Sequence, residues 1–138
     1  MNSAECIFCK IVAGEIPAAV IYENDAIISF LDIGPLNEGH TLIIPKSHVE
    51  TVDACDPGVL AGIGKVLGPI AKAVVAATQC EGFNCLCNNG KVAGQVVNHL
   101  HFHIIPRYKD DGIMRNWPAK QYGQGGLEAM LEKIKKNL

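Results

Sequence analysis

The stretch NHLHFHIIPR, residues 98–107, decides both the fold and the chemistry of this 138-residue chain. It contains three of the chain's five histidines, at alternate positions and separated by apolar residues. In an extended strand, successive side chains point to opposite faces. The spacing therefore predicts a strand over residues 98–105 that places His99, His101 and His103 along an accessible surface and docks the apolar residues between them on the core.

An alternating row of imidazoles is too long for one metal ion. Its two ends are four residue rises apart, roughly 13 Å at ~3.3 Å per residue, so at most two neighbours share an ion and the row is predicted to divide its tasks. Imidazole, with an unperturbed pKa of about 6.5, can act as a nucleophile, a general acid or a phosphate donor near neutral pH. A single histidine on an edge strand would need no function, but three in strict alternation favour one.

Other stretches predict the remaining elements of an α+β fold. Strands are expected in AVIYEN, AIISFLDI, HTLIIPK and GFNCLCNN, separated by turn signals. Asp56 as N-cap and Pro57 as first helical residue begin the main helix, in which apolar residues recur at helical spacing. Because proline lacks a backbone donor, Pro69 predicts a kink near residues 65–68 or a helix in two pieces. A short terminal helix is predicted from Leu127.

Length and composition limit the class of protein. With 49% hydrophobic residues, 19% charged residues and a net charge of −2, the chain is predicted to form one globular domain, residues 1–138, around a single core. The absence of a clustered basic surface argues against duplex nucleic acid as a partner. No export signal is read, so a cytoplasmic location is expected. Lys65 and Lys72 interrupt the most apolar stretch, which favours an amphipathic helix over a membrane span.

The segment HLHFHII resembles the H-φ-H-φ-H-φ-φ signature of the histidine triad (HIT) superfamily, where φ is an apolar residue. The resemblance covers nearly the whole chain: CIFCKIVAGEIPA, FLDIGPLNEGHTLIIPKSHVE, NNGKVAGQVVNHLHFHIIPR and Trp117 follow in the family's order. It implies an antiparallel sheet of about five strands with one long helix. It also implies a homodimer whose subunits pair through sheet and helix.

The resemblance also implies a role for each histidine of the site. His101 would attack the α-phosphorus of a nucleotide and form a covalent nucleotidyl-histidine, which water then hydrolyses. For this, one ring nitrogen must be bare while a backbone carbonyl holds the proton on the other. His103 would donate to a phosphoryl oxygen or the leaving atom, and His40 would help hold the phosphate end.

Residues of the preceding loop match family positions that bind phosphate. Asn88 and Gln95 offer amide groups, and Gly94 lets the backbone approach closely. Val96 departs from the pattern, because many members carry a serine or threonine there that hydrogen-bonds the phosphate or the leaving group. Weaker proton assistance to a poor leaving group such as an amine is therefore expected.

The nucleoside pocket of the family is apolar with one acidic residue near the first hairpin. The residues of this chain that fit it are Ile7, Phe8, Ile11, Phe30, Leu31, Asp32 and Ile33. Asp32 is a candidate to accept ribose hydroxyls. For Phe30 and Leu31, simple core packing is an equal alternative.

Cys6 and Cys9 form a C-x₂-C pair, which on its own is half of a zinc site. In the bacterial branch of the family the pair resembles part of a structural zinc site completed by the histidine of PKSH, here His48, and the first triad histidine, here His99. The other cysteines in strand GFNCLCNN, at positions 85 and 87, are predicted to be small buried apolar groups.

The function implied is a hydrolase that acts on purine nucleotides and releases AMP. Phosphoramidates and dinucleoside polyphosphates, the substrates of the Hint-like and Fhit-like branches, both remain open. A non-catalytic nucleotide-binding or signalling scaffold is the alternative. The branch that transfers nucleotides to other acceptors carries glutamine at the third triad position, so His103 favours hydrolysis.

Overall fold

Five antiparallel strands form one sheet in a computed structural model that describes residues 4–114 and 118–138. The helices and strands are α1 (Ile7–Val12), β1 (Val20–Glu23), β2 (Ile27–Leu31), β3 (Thr41–Pro45), α2 (Pro57–Thr78), β4 (Gly82–Leu86), β5 (Phe102–Arg107) and α3 (Gly126–Lys135). The strand order is β1-β2-β3-β5-β4. The predicted α+β fold, with one long helix and a short terminal helix, is confirmed. Trp117 lies outside the described residues.

The first three strands form a meander, as the turn signals predict. The side-chain oxygen of Asn24 accepts hydrogen bonds from the backbone N–H groups of Ala26 and Ile27, at 2.9 and 2.8 Å, and closes the β1–β2 turn. Strand β2 then pairs with β3 along its whole length. Strand β5 inserts between β3 and β4, which brings the histidine segment to the middle of the sheet.

Two hydrophobic clusters pack on opposite faces of the sheet, whereas one core was expected. Ile27 and Ile43 belong to the cluster under α2, and their neighbours Ile28 and Ile44 belong to the cluster under α1. Consecutive strand residues point to opposite faces, so a sheet covered on both sides has two interiors. The prediction of a single core was wrong for this reason.

Helix α2 begins as the sequence indicates. An Asp56 side-chain oxygen accepts hydrogen bonds from the N–H groups of Gly58 and Val59, at 2.8 and 3.2 Å, and Pro57 occupies the first turn. The helix then continues through Pro69 to Thr78, so the division into two pieces was wrong. Pro69 is on the exposed face of the helix, where water can satisfy the carbonyl that the missing donor leaves free.

The apolar composition of α2 is that of a core helix. By length and composition alone the helix could cross a membrane, with a mean hydropathy of 1.7. Its buried residues, Ile63, Ile70, Ala71 and Val74, pack against the sheet. The absence of a membrane span stays a prediction.

Strand β5 begins later than predicted, at Phe102. The N–H of His99 donates to the Val97 oxygen at 2.9 Å, and the N–H of Leu100 donates to the Val49 oxygen at 2.7 Å. These bonds replace sheet pairing over the first half of the segment. The expected accessible row of imidazoles was also wrong for His99, which is 0% exposed beneath α1 and the loop after β3, and for His101, which is 5% exposed.

Cys85, in strand β4, and Cys87, just after it, are less buried than predicted. Cys85 is exposed and Cys87 is partly buried. Strand β4 is one of the two outer strands of the sheet. Its side chains therefore gain less cover than those of β3 or β5, and the prediction of buried groups was wrong for Cys85.

Candidate functional site

A cavity of about 400 Å³ lies between α1, the end of β2, the loop over residues 88–97 and the start of β5. Its wall includes His101 and His103. The predicted substrate-binding residues along it are Ile7, Phe8, Ile11, Phe30, Leu31, Asp32, Ile33, Asn88, Gly94 and Val96. The structure thus brings the predicted phosphate end and the predicted nucleoside end together around one space. A mostly apolar hollow with a few polar groups is the usual form of a small-molecule site.

Gln95 is the predicted phosphate-loop residue that does not line the cavity. It is 5% exposed. Its side-chain oxygen accepts the Gly90 N–H and its side-chain nitrogen donates to the Glu50 oxygen, both at 2.7 Å. Both ends of the amide are therefore engaged by the protein, and the side chain braces the loop that presents Gly94 and Val96.

Several residues of the cavity wall were missed by the sequence analysis. These are Ile16, Pro17, Ala18, Leu42 and Val97. Leu42 was already placed in a predicted strand, but alternation does not say which face of a sheet meets a ligand. Phe30 is both 3% exposed within the α1-side cluster and part of the cavity wall, so the two interpretations offered for it are compatible.

The ring of His101 is held by the backbone before it. Its Nδ1 lies 2.6 Å from the carbonyl oxygen of His99. A carbonyl only accepts, so Nδ1 carries the proton, and in the neutral ring Nε2 is bare. The ring of Phe8 packs edge-on against His101 with centroids 5.3 Å apart, which restricts the imidazole further.

His103 is paired with a histidine from the connection between β2 and β3. Nδ1 of His103 lies 2.9 Å from Nε2 of His40, and the two triad rings of His101 and His103 have centroids 4.8 Å apart. Burial lowers the pKa of His103 to about 4, assisted by the neighbouring His101 and His40 and opposed by Asp32. His103 is therefore neutral at pH 7.

His40 is 3% exposed and lies behind His103, away from the cavity wall. Gly39 allows this placement, since its φ of +88° favours glycine and a Cβ there would lie 2.5 Å from Thr78 Cγ2. Nδ2 of Asn37 donates to the Pro106 oxygen at 2.8 Å and fastens the same connection to β5. In the structure the ring of His40 contacts His103, and its predicted role at the phosphate end stays a prediction.

The predicted metal ligands converge on the other side of α1. Ligand atoms of Cys6, Cys9, His48 and His99 all lie within 4.8 Å of one another. Nδ1 of His99 is 3.4 Å from Cys6 Sγ and 3.6 Å from Cys9 Sγ, and Nδ1 of His48 is 3.2 Å from Cys9 Sγ. Two sulfurs and two imidazole nitrogens at this spacing suit a tetrahedral Zn²⁺.

The protonation pattern of these groups supports the same fit. Nε2 of His99 donates to the Pro45 oxygen at 2.8 Å, so Nδ1 is the bare nitrogen, and it faces the thiols. Burial and the adjacent Cys6 thiol raise the pKa of Cys9 to about 11. A cation bound between the buried Cys6 and the partly buried Cys9 would favour the ionised form of both thiols.

Three sides of the short helix α1 contact three different parts of the protein: the predicted metal cluster, the core and the cavity. The N-cap residue Cys6 and Cys9 belong to the predicted metal cluster. Phe8 packs in the core, and Ile7 and Ile11 line the cavity. These sets recur at three- and four-residue spacing, as helical geometry requires.

Comparison with known proteins agrees with this geometry. The family model described as HIT domain matches residues 13–110. The chain is 41% identical over 143 residues to an adenosine 5′-monophosphoramidase, HNT1, of Candida albicans, covering 99% of this chain and 93% of that protein. It is 47% identical over 124 residues to the adenylylsulfatase HINT3 of Arabidopsis thaliana, covering 90% of this chain but only 61% of that longer protein.

Solved structures of the same class superpose on the fold. A HIT family member from Bacillus subtilis is 41% identical, with a TM-score of 0.91 and 97% of both chains covered. A zinc-bound histidine triad protein from Mycobacterium smegmatis is 36% identical, with a TM-score of 0.75 and coverage of 99% of this chain and 100% of that one. This chain belongs to the HIT, or histidine triad, family.

Proposed function

We propose that this protein hydrolyses 5′-phosphate derivatives of purine nucleosides and releases the nucleoside monophosphate, AMP above all. The observation that carries the proposal is the bond from Nδ1 of His101 to the His99 oxygen, beside a cavity that His101 lines. It leaves Nε2 bare as a nucleophile. The names of the Candida and Arabidopsis relatives support an adenylyl substrate.

In the first step, the Nε2 lone pair of His101 bonds to the α-phosphorus, and the bond from phosphorus to the leaving group breaks with its electron pair on the leaving atom. The His101 ring keeps its Nδ1 proton and becomes positively charged, and the His99 oxygen faces that charge. His103 donates a hydrogen bond to a phosphoryl oxygen or the leaving atom, where negative charge develops.

In the second step, water attacks the same phosphorus and loses a proton to solvent. The bond from phosphorus to Nε2 breaks, and its electron pair returns to the His101 ring. AMP leaves the cavity. A neutral His103 offers a hydrogen bond rather than a proton, so an amine leaving group takes its proton from water unless the chain supplies another donor.

The proposal includes zinc at Cys6, Cys9, His48 and His99. When bound, a Zn²⁺ ion there supplies a positive charge that ionises the thiols and ties α1 to the histidine segment. The ligand spacing and the zinc-bound relative support it. Thiol ligands need a reducing compartment, which fits a cytoplasmic location.

We also propose a homodimer. Strand β4 is an outer strand and exposes Phe83 at 45%, while the outward face of α2 carries small residues that permit close approach of a second helix. Sedimentation should give a mass of two 14.8 kDa chains. Phe83→Lys should shift the mass toward one chain, and an unchanged dimer would remove strand β4 from the interface.

The test of the catalytic proposal is AMP release by the wild type and His101→Ala on adenosine 5′-phosphoramidate, lysyl-AMP and a diadenosine polyphosphate. We expect turnover by the wild type, none by the variant, and unchanged AMP affinity and melting temperature. The best of the three substrates identifies the branch.

Two results would contradict the proposal in different ways. A tenfold loss of rate corresponds to a barrier higher by ~1.4 kcal/mol. A variant that retains more than about a tenth of the wild-type rate shows that His101 is not the nucleophile. A wild type that binds AMP but turns over none of the substrates is a nucleotide-binding scaffold.

A further inference from the structure

The tautomer of His40 is set by the backbone of its own loop. The N–H of Leu36 donates to Nδ1 of His40 at 3.2 Å. A ring nitrogen that accepts this bond carries no proton. Burial lowers the pKa of His40, opposed by Asp32 and assisted by His101, so the ring is neutral at pH 7. The single ring proton of His40 is therefore on Nε2.

Among the residues that the structure describes, that proton has one partner within hydrogen-bond distance. Nε2 of His40 is 2.9 Å from Nδ1 of His103, and 3.8 Å from the nearer carboxylate oxygen of Asp32. The other Asp32 oxygen accepts the Gly34 N–H at 2.8 Å. His40 thus donates to Nδ1 of His103, and the proton of neutral His103 must stand on its Nε2.

Two neighbouring imidazoles then differ in hydrogen bonding at the cavity: one offers an acceptor nitrogen and the other a donor N–H. His101 has its proton on Nδ1, held by the His99 oxygen, and shows a bare Nε2. His103 has its Nδ1 occupied by His40 and shows an Nε2–H. One ring can attack phosphorus while the ring beside it can only donate.

We propose that His40 is a positioning residue: the relay from the Leu36 N–H through His40 to His103 fixes His103 as a neutral hydrogen-bond donor facing the cavity. The inference rests on the proposed function only in naming a nucleotide phosphate as the acceptor. The relay itself is a statement about protons within the protein.

The same side chains suggest one rival arrangement. Asp32, His40 and His103 offer ligand atoms within 4.8 Å of one another, as a cation site would. A cation between the rings requires His40 Nε2 and His103 Nδ1 both to be bare, whereas the relay requires a proton between them. The location of that proton separates the two.

The test is ¹⁵N NMR of wild-type protein labelled at histidine, at pH 7, without turnover. We expect protons on Nε2 of His40, Nε2 of His103 and Nδ1 of His101, and a scalar coupling across the N–H···N bond between His40 and His103. AMP should shift the His103 Nε2–H signal. A proton on Nδ1 of His40 or His103, or no proton between the two rings, overturns the relay even if the enzyme is active.

A pair of variants tests what the relay contributes. His40→Gln keeps an N–H donor toward His103, whereas His40→Leu removes it at similar bulk. We expect His40→Gln to stay within about threefold of the wild-type kcat and His40→Leu to lose about tenfold or more, since positioned donors contribute through the transition state. AMP affinity should be similar in both variants.

Equal losses of kcat in both variants would show that His40 acts by packing alone and would overturn its role as a donor. If the wild type has no turnover at all, the proposed hydrolase function fails, while the NMR result still decides the relay.

Discussion

The backbone oxygen of His99 accepts the hydrogen bond from Nδ1 of His101 at 2.6 Å, while the side chain of the same His99 lies against the thiols of Cys6 and Cys9. One residue therefore belongs to the metal cluster by its ring and to the candidate catalytic site by its carbonyl. The sequence predicted that different histidines of the row have different tasks. In the structure, two tasks also fall on His99 alone, one on its ring and one on its carbonyl.

We predict that Cys6→Ser removes the metal and destabilises the fold. Metal bound only by the folded chain adds its binding free energy to stability. Wild-type protein should contain one equivalent of zinc by elemental analysis and the variant none, with a melting temperature lower by at least about 5 °C. The exposed Cys85→Ser is the matched control and should change neither. Wild-type protein that contains no zinc as purified, and whose melting temperature Cys6→Ser leaves unchanged, would show that no zinc site exists.

A second prediction concerns ribose recognition by Asp32, a residue of the cavity wall. A hydrogen bond from a hydroxyl to a charged group contributes about 1.5 kcal/mol or more, roughly tenfold in affinity. Asp32→Ala should weaken AMP binding by about that factor and leave 2′,3′-dideoxy-AMP nearly unaffected. Asp25→Ala, in the exposed β1–β2 turn, is the control. Equal weakening of both ligands would mean that Asp32 contacts another part of the nucleotide.

The third prediction concerns Val96, which lines the cavity and is 90% exposed. Val96→Thr replaces a methyl group by a hydroxyl of similar size. One added hydrogen bond of about 1 kcal/mol corresponds to roughly fivefold in rate. We expect such a gain on adenosine 5′-phosphoramidate and little change on adenylyl sulfate, whose leaving group needs no proton. Val96→Ala should show no gain on either, and a gain common to both substrates would point to phosphate binding instead.

The fourth prediction concerns acid stability. The folded-state pKa of His103, about 4, is below its ordinary value of 6.5, because the ring is buried among His101 and His40, with Asp32 opposing the shift. Between these values the unfolded chain binds a proton that the folded chain does not. Stability is therefore lost as pH falls from 6.5 toward 4 and is unaffected by this group above 6.5.

His103→Gln removes that titration. Its melting temperature should fall less than that of the wild type between pH 6.5 and 4, while the two proteins should show parallel behaviour above pH 7. Parallel curves over the whole range would mean that His103 titrates with an ordinary pKa. The same buffers with His48→Gln report separately on a histidine of the metal cluster.

Local sequence signals predicted most of the fold. Asp56 and Pro57 mark the start of α2 because capping and proline geometry act within one turn. The strand predicted in AIISFLDI has a period of two, which is why Ile28 and Phe30 share one face of β2 and one hydrophobic cluster. The family resemblance likewise placed His101 and His103 at one site, and both line the cavity.

What the sequence could not predict depends on contacts between distant segments. The late start of β5 follows from a hydrogen bond between Leu100 and Val49, which no local pattern contains. The position of His40 behind His103 depends on a loop N–H from Leu36 and on the space beside Gly39. Gln95 was a plausible phosphate ligand by position, but its partners, the Gly90 N–H and the Glu50 oxygen, are known only in three dimensions.

The length of helix α1 fixes the direction in which each of its side chains points. A residue inserted or deleted within Ile7–Val12 rotates everything on one side of it by about 100° relative to the other. Such a shift would carry Cys9 away from His99 and turn a different side chain toward the cavity. A single substitution in this helix therefore affects mainly the part of the protein that its side chain contacts. A change in the length of the helix disrupts metal binding, core packing and nucleotide binding at once.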